Sequence, residues 1–183
     1  THQHNPPADG IAWPGTSVRL GERGEYGFDA HGLELGHLHG DRVAHFFFDR
    51  RLGAQLHAAG RVGPHPVAPK SVKLGARTIG SAADVDDIRA MLRLNYERPV
   101  RKVIEQLDRA SDDPDAFAAL LTESATVVNF VGRRVEGRDA LHALMTSSMA
   151  TGLAAVSTTP EPGPIVFPAD GAAIAQAPKH VTD

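Results

Sequence analysis

Gly32-Leu33-Glu34-Leu35-Gly36-His37-Leu38-His39-Gly40-Asp41-Arg42-Val43-Ala44-His45 is the stretch whose reading decides the fold. Leu33 to His39 has strand character, Gly40-Asp41 is the chemistry of a two-residue hairpin turn, and Phe46-Phe47-Phe48 follows on the return. In that hairpin His39 faces Arg42, Leu38 faces Val43 and His37 faces Ala44. His37 and His39 then share one face, about 7 Å apart by the two-residue rise of a strand. Glu34 and His45 fall on the opposite face beside Leu38, Val43 and Phe47. A segment running straight through would instead line His37, His39, Asp41 and His45 along one face, and the hairpin is the preferred reading.

Working outward, Ser17 to Leu20 and Glu25 to Phe28 read as short strands, and Asp29-Ala30-His31-Gly32 as a turn, so the first part is an antiparallel meander. On the other side, Asp49 caps a helix to Ala59, with Leu52, Leu56 and Ala59 at helical spacing and Gly60 closing it. Arg61 to Pro69 is too proline-rich for a helix or central strand, and predicts a stiff extended loop carrying His65. Val72 to Ile79 follows as a strand.

Ser81-Ala82-Ala83-Asp84 resembles a capping box, opening a helix whose stripe is Val85, Ile88, Met91 and Leu92 through Tyr96. Pro99 is expected to break or kink the chain and to mark a domain boundary. A second helix follows over Val100, Val103, Ile104 and Leu107. A third starts at Asp113-Pro114, with Phe117, Leu120 and Leu121 inside. Ala125 to Val131 reads as a strand turning at Gly132, Asp139 to Met149 as a helix, and Leu153 to Thr159, Ile165 to Phe167 and Ala172 to Val181 as strands. The expected fold class is α+β, with domains over residues 8–98 and 99–183.

Composition narrows the function classes. With 42% apolar and 22% charged residues, the 183-residue chain reads as a globular protein. A formal charge of −3 with scattered Lys and Arg argues against a nucleic-acid surface. The absence of cysteine excludes disulfides and thiolate chemistry, in keeping with a cytoplasmic location. No apolar run approaches the roughly 20 residues of a membrane span. The polar start has no signal-peptide h-region, and His2 and His4 read as a mobile end. The missing initiator Met suggests processing or a chain that begins inside a longer product.

Three histidines and two carboxylates within fourteen residues point to proton transfer near neutral pH or to metal binding. His-x-His on a strand can hold zinc or iron with a third ligand such as His65 or Asp41, but no complete ligand spacing is evident. No metal or other cofactor is therefore assigned. Oxygen chemistry without a cofactor requires a base that leaves the substrate as an electron-rich anion. Glu34, His37, His39, Asp41 and His65 are the catalytic candidates, with Arg42 placed to stabilise the anion. Each has a plainer reading: half-buried sheet imidazoles, a strand-end acid in Glu34, turn chemistry in Asp41. His45 and His57 read as structural or surface residues, and Phe46 to Phe48 as core.

The first hundred residues resemble the luciferase-domain family, a bacterial and fungal group that includes the fungal luciferases. The resemblance is carried by Glu34-Leu35-Gly36-His37-Leu38-His39-Gly40-Asp41, then Ala59-Gly60-Arg61 leading to Pro64-His65-Pro66-Val67-x-Pro69. It closes with Asp84-Val85 and Leu92-Arg93-Leu94-Asn95-Tyr96-Glu97-Arg98, and spans about Trp13 to Arg98. It implies oxidation of a small hydroxylated molecule by molecular oxygen without an organic cofactor, as in the fungal members. Many members follow the His-Pro region with Ser-Gly-Trp; here Lys70-Ser71-Val72-Lys73-Leu74 stands instead, which removes a pocket wall.

From Val100 onward the chain is similar to SnoaL-like polyketide cyclases and ketosteroid isomerase relatives. The matching segments are Asp115-Ala116-Phe117, Ala125-Thr126-Val127-Val128-Asn129, Gly132-Arg133-Arg134-Val135-x-Gly137-Arg138-Asp139-Ala140 and Lys179-His180-Val181. This similarity implies a partial α+β cone, short of its last strand pair, with Asn129 and His180 facing the hollow as ligand-binding residues. The exposed sheet edge is expected to be covered in a homodimer or by a missing C-terminal segment.

The expected function is a luciferase-domain oxygenase without organic cofactor, acting on a small aromatic or polyketide-like molecule. The alternatives are a non-catalytic small-ligand binder and a metal-dependent enzyme using the histidine cluster. The expected partner is a small-molecule ligand, with no nucleic acid and no membrane.

Overall fold

The computed structural model describes residues 11–129, 132–150, 157–161 and 163–182. His2, His4, and the parts of the expected strands at Phe130-Val131 and Leu153–Val156 lie outside the described residues. The fold is α+β. One compact unit runs through Arg98 and takes in Phe167–Ile174; the other comprises Pro99–Val166 and Ala175–Asp183.

The first unit is a six-stranded antiparallel sheet with helices. Its strands are β1 (Thr16–Leu20), β2 (Tyr26–Ala30), β3 (Leu33–His39), β4 (Val43–Phe47), β5 (Gly63–Pro64) and β6 (Leu74–Thr78), in the order β1-β2-β3-β4-β6-β5. His31 and Gly32 connect β2 to β3 with φ of 51° and 75°, the left-handed pair that a tight two-residue hairpin turn demands. Helix α1 (Arg50–Ala58) is capped by the Asp49 carboxylate, which accepts from the Leu52 N–H at 2.8 Å.

Helix α2 runs without interruption over Ala82–Arg109, with Pro99 inside it. The expected break at Pro99 is thus corrected. An interior proline costs a helix roughly 3 kcal/mol. Ile88, Met91, Leu92 and Tyr96, all buried on α2 ahead of it, anchor the helix against the sheet and offset that cost. They pack with Phe28, Leu35, Ala44, Phe46 and Phe48 in one hydrophobic core. Phe46 and Phe48 are buried in the core as expected, their rings stacked at 5.5 Å, whereas Phe47 is half-buried with its ring 5.6 Å from that of His37.

The second unit contains α3 (Pro114–Ala119), capped by Asp113, and α4 (Arg138–Ala150). Its strands pair two at a time: β7 (Thr126–Val128) with β8 (Arg134–Glu136), and β12 (Lys179–Thr182) with β9 (Ser157–Pro160). A further two-stranded pair, β10 (Ile165–Ala169) with β11 (Ala172–Ala175), carries the Phe167–Ile174 tip that belongs to the first unit. The single strand expected over Ala172 to Val181 is therefore two short ones, β11 and β12.

Candidate functional site

The site is built by two departures from plain strand alternation. The first is the turn between β3 and β4. It spans three residues, Gly40-Asp41-Arg42, so His39 pairs with Val43, Leu38 with Ala44, and His37 with His45. The register is one residue away from that of a two-residue turn, and a one-residue slip sends every side chain of a strand to the other face. Ala44 and Phe46 therefore enter the core, and His45 joins His37 and His39. The expectation that His45 is merely structural and sits opposite His37 is corrected on this ground.

The second departure is a β-bulge in β3. Phe28 pairs with Gly36 and Asp29 with Glu34, leaving Leu35 as the extra residue. Leu35 and Gly36 are consequently both buried, and Glu34 emerges on the histidine face instead of the opposite one. The carbonyl of Leu35 accepts a hydrogen bond at 2.7 Å from the side chain of Asn95, which is fully buried on α2. Gly36 has no room for a side chain: an added Cβ would lie 2.6 Å from the His45 carbonyl oxygen. Asn95 and Gly36 thus hold the bulge, and neither stands out in sequence as a functional residue.

On the resulting face the groups form a chain. Arg19 Nη2 lies 2.6 Å from Glu34 Oε2, and Arg19 Nε donates to Asp29 at 2.8 Å. Glu34 Oε1 lies 2.6 Å from His37 Nδ1, and His37 Nε2 lies 3.2 Å from His45 Nδ1. A carboxylate only accepts, so His37 donates from Nδ1, and with that single proton on the ring its Nε2 is an acceptor. His45 then donates from Nδ1 and keeps a bare lone pair on Nε2. His39 packs edge-on against both neighbours, its ring 5.0 Å from that of His37 and 4.8 Å from that of His45.

His65 comes from the proline-rich loop after β5. Gly63 pairs with Ala76, and Ala76 pairs with His45, so small residues separate the loop from β4. The His65 ring sits 4.3 Å from the His45 ring. Its Nδ1 accepts from the Val67 N–H at 3.2 Å, which places the proton of the neutral ring on Nε2.

His45 and His65 are only 7% and 6% exposed, and the Nε2 atom of each is buried with no hydrogen-bond partner. Burial first, then the neighbouring His65, His37 and His39, pushes His45 down to about 4. His65 is lowered in the same direction, by burial first and then by His37 and His39. Both rings are therefore neutral at pH 7. They leave an orphaned acceptor on His45 and an orphaned donor on His65, on rings 4.3 Å apart.

The other candidates stand elsewhere. Asp41 and Arg42 are exposed in the turn. Arg42 contributes its backbone there, donating to His39 O at 3.4 Å and accepting from the Ile79 N–H at 2.8 Å. In the second unit, the Asn129 side-chain oxygen accepts from the Arg133 N–H at 2.9 Å and closes a turn. His180 is exposed and lies 3.0 Å from Glu161. The structure thus brings Glu34, His37, His39 and His65 together with His45, and gives Asp41, Arg42, Asn129 and His180 surface or turn roles.

Residues 32–95 match the family model described as the Luciferase domain, a span of about a third of the chain that contains Glu34 and all four clustered histidines. No curated protein and no solved structure matches the chain. Among the described residues, no helix is long and apolar enough to cross a membrane.

Proposed function

We propose that the first unit is an enzyme that deprotonates a small hydroxylated aromatic or polyketide-like molecule, preparing it for reaction with molecular oxygen without an organic cofactor. One observation carries the reading: two neighbouring imidazoles, more than nine-tenths buried, present unpartnered Nε2 atoms of opposite hydrogen-bonding character. Buried polar atoms in proteins are overwhelmingly paired, so two orphans side by side ask for a guest. A hydroxyl group suits both, since it donates to the His45 lone pair and accepts from the His65 N–H.

The chemistry follows from the chain behind His45. A proton accepted at His45 Nε2 is matched by release of the Nδ1 proton to His37 Nε2. The resulting imidazolium faces the Glu34 carboxylate that Arg19 braces. The positive charge thus ends away from the substrate, and the His65 N–H stays behind to stabilise the new oxyanion. That oxyanion is the electron-rich form that reacts with oxygen.

The test is oxygen uptake by the purified chain with hydroxylated pyrones and phenols. The parent should consume oxygen in a substrate-dependent way. His37→Ala and His45→Ala should each lower the rate by roughly 10²-fold or more, the range of general-base contributions. A His37→Ala variant as fast as the parent overturns the reading. Ligand binding without turnover would make the unit a binder whose histidines only shape the pocket.

A further inference from the structure

We infer that His37, His39 and His45 form a binding site for a divalent transition-metal ion of the zinc class, and that the ion takes the same nitrogens that the proton relay uses. The three side chains each offer a ring nitrogen, and these nitrogens lie within 4.8 Å of one another. Two of the ring nitrogens, His37 Nε2 and His45 Nδ1, are 3.2 Å apart. With Zn–N bonds of about 2.0–2.1 Å, tetrahedral ligands sit about 3.3 Å from each other, so this pair already has the spacing of two nitrogens on one ion. The His39 nitrogen, within 4.8 Å of the other two, lies at most about 1.5 Å beyond that spacing.

Two further features suit a metal centre. A histidine that binds metal through one nitrogen commonly donates its other N–H to a carboxylate, which sets the tautomer and the ring orientation. His37 does this toward Glu34 at 2.6 Å, and Arg19 fixes the far oxygen of that carboxylate. Three imidazole ligands leave a fourth position open for water or a ligand oxygen, the pattern of a reactive rather than a purely structural site.

Metal binding has a definite consequence for the relay. Coordination through His45 Nδ1 moves that ring's proton to Nε2 and removes the lone pair that accepts a substrate proton. The ion and the imidazole base are therefore alternative occupants of one pair of nitrogens. This goes beyond the proposed function and stands or falls separately from it, because its readouts need no turnover.

The experiment uses the full chain, freed of metal with a chelator and titrated at pH 7.5 with Zn²⁺ in a calorimeter and with Co²⁺ in a spectrophotometer. One equivalent should bind, and Co²⁺ should give the intense visible bands of four-coordination. His39→Ala, which alters only a half-buried ring, should weaken binding at least 10-fold with an unchanged circular dichroism spectrum. Glu34→Gln should weaken it 10- to 100-fold, the usual effect of removing a carboxylate behind a ligand. His142→Ala with His180→Ala, a pair of histidines in the second unit, should leave it unchanged. Nitrogen NMR of the imidazoles should show the His45 proton moving from Nδ1 to Nε2 as Zn²⁺ is added. Absence of binding, binding unaltered by His39→Ala, or an unmoved His45 proton would each overturn the inference.

Discussion

The two units of this chain stand in contrast. In the first, six strands share one sheet, a helix buries Ile88, Met91, Leu92 and Tyr96 against it, and buried polar groups such as Asn95 and His45 occupy defined positions. In the second, strands pair only two at a time among the described residues, and the buried hydrophobics there are Ala110, Ala118, Leu141 and Ile165. A continuous core over-determines its neighbours, and that is what lets the first unit hold a bulge, a glycine pressed against a carbonyl, and four histidines on one face. A hairpin with an exposed apolar side has nothing to hold such features in place.

Four substitutions or conditions put this contrast at risk, beginning with the largest effect. Phe46→Ala removes a fully buried ring from the first core and should cost about 3–5 kcal/mol, read by denaturant unfolding followed at Trp13, the chain's one tryptophan. A loss below 1 kcal/mol would mean that the core is no tighter than the hairpins. Asn95→Leu leaves the carbonyl of the bulged Leu35 without its donor and should cost about 1–3 kcal/mol. The same change should loosen the Glu34–His37 hydrogen bond, visible as a shifted His37 Nδ1–H resonance. If that resonance stays put, Asn95 does not position the relay.

A smaller effect concerns the start of α2. The Ser81 hydroxyl first, then the Gly80 N–H and Arg77, hold the Asp84 carboxyl below its usual value. A depressed carboxyl pKa gives stability that is complete above the unfolded value near 3.8 and is lost as pH falls through the folded one. The melting temperature of the parent should therefore fall more steeply below pH 4 than that of Asp84→Asn. Parallel curves would assign acid sensitivity elsewhere. The smallest change is Val128→Ala, at a residue 63% exposed in the second unit, which should alter stability by no more than about 0.5 kcal/mol. A larger loss, measured by the same unfolding curves, would reveal that the β7–β8 face is covered.

Much of this was legible from residue types and spacing. The meander, the Asp49 cap, the proline-rich loop of His65 and the core role of Phe46 and Phe48 all follow from local chemistry that acts within a few residues. The region of the candidate site was legible for the same reason, because histidines and carboxylates are dense there. Its membership was not. His45 looked like a bystander since Gly40-Asp41 suggests a two-residue turn, and only pairing across β3 and β4 reveals a third turn residue.

By itself, then, the sequence determined most of the segments that become strands and helices, and which stretch carries ionisable side chains. Those properties depend on backbone preference and hydrophobic period, both local. Only the tertiary structure decided that Glu34, His37, His39, His45 and His65 share a face, and that Pro99 stays within a helix. Strand alternation has a period of two, so a single extra residue in a turn or a bulge reverses every side chain beyond it. Where that residue goes is set by distant partners such as Asn95 and Leu92, which meet β3 only once the chain has folded.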